Sequence, residues 1–291
     1  MGGALKVEVR SMGLQDVDIL TFMIQKEGWE FDRSDIERIL HIDPDNSIIA
    51  SVDGKIIGGI TVCSMGPWAL LGHVLVDIQH RKMGAGQRLM DDVLRKLDSS
   101  GVRTVEVFGE SRAASFYRRN GFRFIEECAI FEKDLGEGEF SVVNDYGIRR
   151  YEPKDMDGLL RIDRSIVRFD RSKIINAFIS SFPRLAHVSS VDGELTGYVL
   201  ARSSPIGNDV GPLISLDGSA EAALRLLQSA LSVLPGGATY VIGPTENAIL
   251  NDIMKETGFA QKQKLVRMIR STGDITPYPP EMLAISATEY G

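Results

Sequence analysis

The chain has 291 residues, 43% apolar and 25% charged, with a formal net charge of −7. That is the make-up of a soluble globular protein long enough for two ordinary domains, and the negative balance argues against nucleic acid as a main partner. No run is long and apolar enough to span a bilayer, no basic-then-apolar leader is present, and Cys63, Cys128 and four scattered histidines give neither a disulfide framework nor a metal-ligand spacing. The expectations are a cytoplasmic protein, no metal and no membrane partner.

In chain order, Lys26-Glu27-Gly28-Trp29-Glu30 is a loop-like segment between two amphipathic patterns. Val52-Asp53-Gly54 is a hairpin-turn signal between alternating strands. Trp68 to Val74 reads as a strand, and the β-branched run Val74-Leu75-Val76 then breaks into a short basic loop, Arg81-Lys82-Met83-Gly84-Ala85-Gly86. An amphipathic helix follows at once. A strand, a glycine-bearing loop and a helix start together present backbone N–H groups and a helix N-terminus to a phosphate. Gly84 and Gly86 remove side chains where a ligand approaches the main chain, and the Arg81 guanidinium suits a pyrophosphate. The loop is not a Walker A sequence, and it lacks the third glycine of a dinucleotide fingerprint. Next, Thr104 to Phe108 reads as a strand, and Ala113 to Arg119 as a short helix closed by Gly121 before a strand from Phe122.

R-x-x-G-x-G after a Val-rich strand, followed by A-x-x-x-Y-x-x-x-G-F at Ala113 to Phe122, resembles the GNAT superfamily of acyl-CoA-dependent N-acyltransferases. The resemblance implies acetyl-CoA as acyl donor. Val74, Leu75 and Val76 would offer backbone groups to pantetheine, and Arg81, Lys82, Met83, Gly84, Ala85 and Gly86 would cradle the pyrophosphate. Ala113, Phe116 and Tyr117 would complete the cofactor site, with Tyr117 as proton donor to the CoA sulfur. One departure is Glu110, which stands where the family usually has Asn. The strand before the loop holds no carboxylate, so His73 is its one titratable candidate for a general base. By the same resemblance the loop with Glu27, Trp29 and Glu30 lies over the acceptor. A primary amine is the implied acceptor, a small amine or amino acid favoured; a protein lysine or α-amine, and a CoA-sensing protein without turnover, stay open.

The chain also echoes itself. Phe31-Asp32-Arg33-Ser34 returns at Phe169, Ser51-Val52-Asp53-Gly54 at Ser190, and Asn120-Gly121-Phe122 as Thr257-Gly258-Phe259. The expected architecture is therefore α/β (α+β): two tandem GNAT-like domains, 1–138 catalytic and 142–291 degenerate, each a mixed, mostly antiparallel sheet flanked by helices, with Gly136 to Glu139 as linker. Carried forward by 137 positions, Arg81, Gly84, Gly86 and Tyr117 fall on Gly218, Glu221, Ala223 and Met254, and Glu110 on Asn247. The basic charge, both glycines and the phenol are gone, so the second copy is expected not to bind CoA. It would complete the acceptor pocket or mediate assembly, as in a homodimer.

Overall fold

A computed structural model describes residues 6–141, 145, 147–216 and 218–290. The expected second-domain start at 142 lies outside the described residues, as do both outer ends of the expected domains. The first half runs β1 (Glu8–Ser11), α1 (Val17–Lys26), α2 (Arg33–Ile42), β2 (Ile48–Val52), β3 (Lys55–Met65), β4 (Trp68–Val76), α3 (Ala85–Ser99), β5 (Thr104–Glu110), α4 (Ala114–Arg119) and β6 (Arg123–Leu135). The second half repeats that order as β7 (Arg149–Arg150), α5 (Met156–Val167), α6 (Ser172–Ser181), β8 (His187–Val191), β9 (Glu194–Ser204), β10 (Gly207–Ser215), α7 (Ala220–Leu231), β11 (Gly237–Pro244), α8 (Ala248–Glu256) and β12 (Ala260–Ser271), then adds β13 (Met282–Ala284).

Local chemistry builds both copies alike. Asp53 and Gly54, and again Asp192 and Gly193, take positive φ between paired strands, which is the two-residue hairpin turn that matches strand twist. Before each first helix an arginine forks onto an aspartate: Arg10 on Asp16 at 2.7 Å, and Arg149 on Asp155 at 2.6 and 2.7 Å. α3 has an apolar stripe of Leu89, Met90, Val93 and Leu97, and α7 repeats it with Leu226, Leu227 and Ala230.

Both copies have the expected mixed, mostly antiparallel strands flanked by helices, and their strands join in one sheet. All thirteen strands form one sheet in the order β1-β2-β3-β4-β5-β12-β6-β11-β10-β9-β8-β7, with β13 on β10. Each half gives its last strand to the other: β12 pairs with β5, β6 pairs with β11, and the exchanged strands pair with each other, all antiparallel. The join carries buried charge. Arg267 on β12 donates to Glu106 on β5 and, at 2.6 Å, to Glu126 on β6, while Trp68 Nε1 donates to Glu106 at 2.9 Å. On one face, residues of α1, α2, α5 and α6 share a single apolar core; on the other, α3 and α7 cover separate ones. No helix of the described residues is long and apolar enough to cross a membrane.

Candidate active site

The functional cleft starts where two parallel strands part. β4 and β5 pair from Trp68 with Thr104 to Leu71 with Val107 and no further. Where pairing ends, β4 bulges against β3, and His73 takes φ +44. Backbone groups from Gly72 onward thereby lose their β5 partners, so their N–H and C=O groups are available to a ligand. The cleft is about 380 Å³ and is lined by Leu71 to Val76 on one side and Val107 to Glu110 on the other.

At one end of β4 lies the glycine-bearing turn. Gly84, at φ +84, is the N-cap of α3 and supplies no capping side chain, and the first helical bond is Arg88 N to Gly84 O at 2.9 Å. The N–H groups of Ala85, Gly86 and Gln87 thus point out of a fifteen-residue helix without internal acceptors. A Cβ on Gly86 would meet only Val76 Cγ2, at an ordinary 3.7 Å, so packing does not demand a glycine there. What the missing side chain provides is room. Lys82 and Met83 are exposed beside it.

Arg81 is arranged differently from the expectation. Its Nε donates to Val76 O at 2.8 Å and its Nη2 to Glu27. Glu27 therefore belongs to the loop end of the cleft, not with Glu30. Glu110, the departure from the family pattern, is forked by Arg112 at 2.5 and 3.0 Å, which neutralises it. Tyr117 and Ala113 line the cleft, whereas Phe116 packs against the Tyr117 ring with centroids 5.6 Å apart and does not line it. Burial, aided by Glu110, holds the Tyr117 phenol well above its ordinary pKa, so it stays protonated at neutral pH. Gly109 makes room for this ring: a Cβ there would lie 2.6 Å from Tyr117 Cε2.

His73 is enclosed by Phe31, edge-on at 4.4 Å, and Trp29, tilted at 6.4 Å, and its Nδ1 meets Thr61 Oγ1 at 2.9 Å. Burial lowers its pKa to about 3. A conjugate acid that strong makes a poor acceptor for an ammonium proton, which weighs against the expectation of His73 as base.

Beyond His73 the lining comes from both halves. Trp29, Glu30 and Phe31 face Asp209, Tyr240, Lys262 and Thr288 across the cleft. Lys262 Nζ joins Glu30 at 3.2 Å to Glu132 at 3.0 Å, and Tyr240 donates to Glu132 at 3.0 Å. The second-half residues escaped the sequence reading because strand exchange alone brings them here.

The same place in the second half is filled by the chain itself. β10 and β11 pair in parallel from Asn208 with Thr239 to Val210 with Val241, then part. β13 enters the gap, pairing Leu213 with Ala284, and Ile285 N donates to Ile242 O at 2.8 Å. Added Cβ atoms on Gly211 and Gly243 would lie 1.9 and 2.1 Å from carbonyl oxygens of this segment. Ser219 caps α7 by accepting from Ala222 N at 3.2 Å, a side-chain cap that Gly84 does not give α3. Strand register also revises one equivalence. Leu71 and Val210 each close a parallel ladder, which matches Gly109 with Gly243 and Glu110 with Pro244. Asn247 instead caps α8 and donates to Pro280 O at 3.0 Å and Met282 O at 3.3 Å, holding the inserted segment.

Comparison with known proteins agrees with this geometry. Two family models, each described as an acetyltransferase (GNAT) domain, match residues 43–124 and 159–279. A holothin acyltransferase from Pseudoalteromonas sp. (strain SANK 73390) is 24% identical over 88% of this chain and 85% of its own length. A Pyrococcus horikoshii structure, assigned provisionally to the acetyltransferases, superposes with a TM-score of 0.81 at 18% identity, covering 98% of this chain and 96% of that one. A tandem GNAT protein from the clavulanic acid biosynthesis pathway superposes at 0.65 and 13% identity, covering 93% of this chain and all (100%) of that one.

Proposed function

The chain is an acyltransferase of the GNAT family in tandem form, and from that premise we propose that it moves the acetyl group of acetyl-CoA to a primary amine by direct attack, at one site per chain. The asymmetry of the two splayed gaps carries this reading: one is open beside an uncapped helix end, the other holds β13. The residues present fit the donor. Val74 to Val76 turn the edge without a β5 partner toward the pantetheine arm, Val76 O being held by Arg81, and the α3 N-terminus with Lys82 supplies donors for the pyrophosphate. Arg81 joins them once it leaves Val76 O. The donor brings an activated thioester carbonyl, which backbone N–H groups of the bulge can polarise. Tyr117, protonated and in the cleft, gives a proton to the departing sulfur. The degenerate half serves by lining the acceptor side.

A small amine is favoured over a peptide because the acceptor side is walled by Trp29, Phe31 and Tyr240 and closed by the Glu30–Lys262–Glu132 bridge. The test is free-thiol release from acetyl-CoA with holothin, tyramine, spermidine, lysine and a lysine-containing peptide, together with calorimetric stoichiometry. One acetyl-CoA bound per chain and turnover of a small amine are expected. Two bound per chain, or binding without thiol release for any amine, would refute the reading.

A further inference from the structure

We infer that the second, CoA-free half supplies the reaction's base: Asp209, facing Glu30 across the acceptor side of the cleft, receives the acceptor as an ammonium ion and takes its proton. This rests on the N-acyltransferase reading above and names the residue and acceptor charge state that it leaves open.

The argument begins with position. Asp209 lies on β10 beside the last parallel pairs with β11, and it lines the same cleft as His73, Gly109 and Tyr117. Its orientation is held from the first half. Arg202 on β9 donates through Nη1 to Asp35 on α2 and places Nη2 2.7 Å from Asp209 Oδ2. Among the described residues Oδ1 takes no further hydrogen bond, so one oxygen remains for a ligand.

Comparison with the other groups supports the same residue. Each carboxylate of the cleft is paired with a cation, Glu27 with Arg81, Glu110 with Arg112, Glu30 with Lys262 and Asp209 with Arg202, and Asp209 is the least exposed of the four. His73 is too weak a base, and Tyr117 is held in its protonated form. Asp209 faces Arg202, Asp35, Glu30 and Glu289. Burial outweighs Arg202 and lifts its pKa to about 6, close to where a general base is useful. The protons balance. Of three on the ammonium nitrogen, one passes to Asp209 and on to solvent, one stays on the amide, and one replaces the proton that Tyr117 gives to sulfur as the C–N bond forms and C–S breaks.

The test uses Asp209→Asn, which preserves shape and can still accept from Arg202, with the fastest amine of the panel above. The expected result is about a hundredfold loss of kcat, in the range of general base catalysis, with acetyl-CoA affinity unchanged. The wild-type rate should rise with pH through about 6 and level off, and the variant should lose that bend. Hydroxylamine, largely uncharged at pH 7, needs no base and should lose less than tenfold. Without acyl donor, calorimetry at pH 6 in two buffers should show about half a proton released per ammonium bound by wild type, since Asp209 is about half protonated there, and none for the variant. If Asp209→Asn does not fold, Asp209→Glu and the wild-type proton release decide the matter. An active wild type with an unaffected variant, or no proton release, overturns the assignment alone. An inactive wild type overturns the acyltransfer reading beneath it.

Discussion

Replacing Gly109 by Ala tests how finely the fold holds Tyr117. Gly109 adopts a backbone that alanine can share, so its missing side chain serves space and not conformation. An added Cβ would sit 2.6 Å from Tyr117 Cε2, whereas carbon atoms settle at about 3.5–4.0 Å, so the ring must retreat by about 1 Å. It cannot swing freely, because Phe116 and Phe122 stack edge-on at 5.6 and 5.7 Å. Such overpacking costs roughly 1–3 kcal/mol, and an ångström of misplacement at a reacting group costs up to about a hundredfold in rate. The expected result is a 10- to 100-fold lower kcat in the thiol-release assay, with acetyl-CoA affinity within threefold of wild type. Tyr117→Phe should lower the rate at least about tenfold. If the glycine acts through the phenol, the double variant should be little worse than Tyr117→Phe. A Gly109→Ala enzyme within twofold of wild type, or strict additivity in the double variant, would refute the reasoning.

Gly86→Ala should separate binding from stability: the added methyl has ordinary clearance, so the helix gains roughly 0.5 kcal/mol while calorimetric acetyl-CoA affinity falls at least tenfold. Arg267→Ala leaves Glu106 and Glu126 without their guanidinium partner at the join of the halves, and denaturant unfolding should show a loss of about 3–5 kcal/mol. The paired change Glu106→Gln with Arg267→Met should cost markedly less. Glu289 is buried against Gly72, and burial raises its pKa from 4.5 to about 8. Its folded-state value lies above its unfolded one, so its contribution is fully present below pH 4.5 and lost as pH rises through about 8. Glu289→Gln should therefore gain stability relative to wild type by roughly 1.4 kcal/mol per pH unit across that window, read by urea unfolding at pH 5 and pH 8. A pH-independent difference would remove Glu289 as a protonated group of the fold.

Some of the site was legible because it rests on local chemistry. A turn that needs φ > 0 at Gly84, an uncapped helix start and a strand before it are neighbours in sequence, and so are the helix and turn around Tyr117 and Gly121. The repeat was legible for the same reason, since each copy repeats its own turns and apolar stripes. The constant displacement failed at Glu110, because α8 has nine residues where α4 has six, so the offset holds only beyond that helix, and Asn247 serves as the α8 cap. Arg81 and Glu27 were placed apart by chain order, while the fold pairs them.

The sequence by itself determined the two copies, the glycine-bearing loop before α3 and the position of the Tyr117 phenol, because hairpin turns, helix ends and apolar periods are set by residues within a few positions of each other. Tertiary structure decided the rest. Only the exchange of β6 and β12 sets Asp209, Tyr240 and Lys262 across from Glu30, and only the return of β13 fills the second gap. Backbone groups parted from their partner strand must find others. In one half the inserted β13 provides them, and in the other the gap stays open, with Arg81 donating to Val76 O at its end.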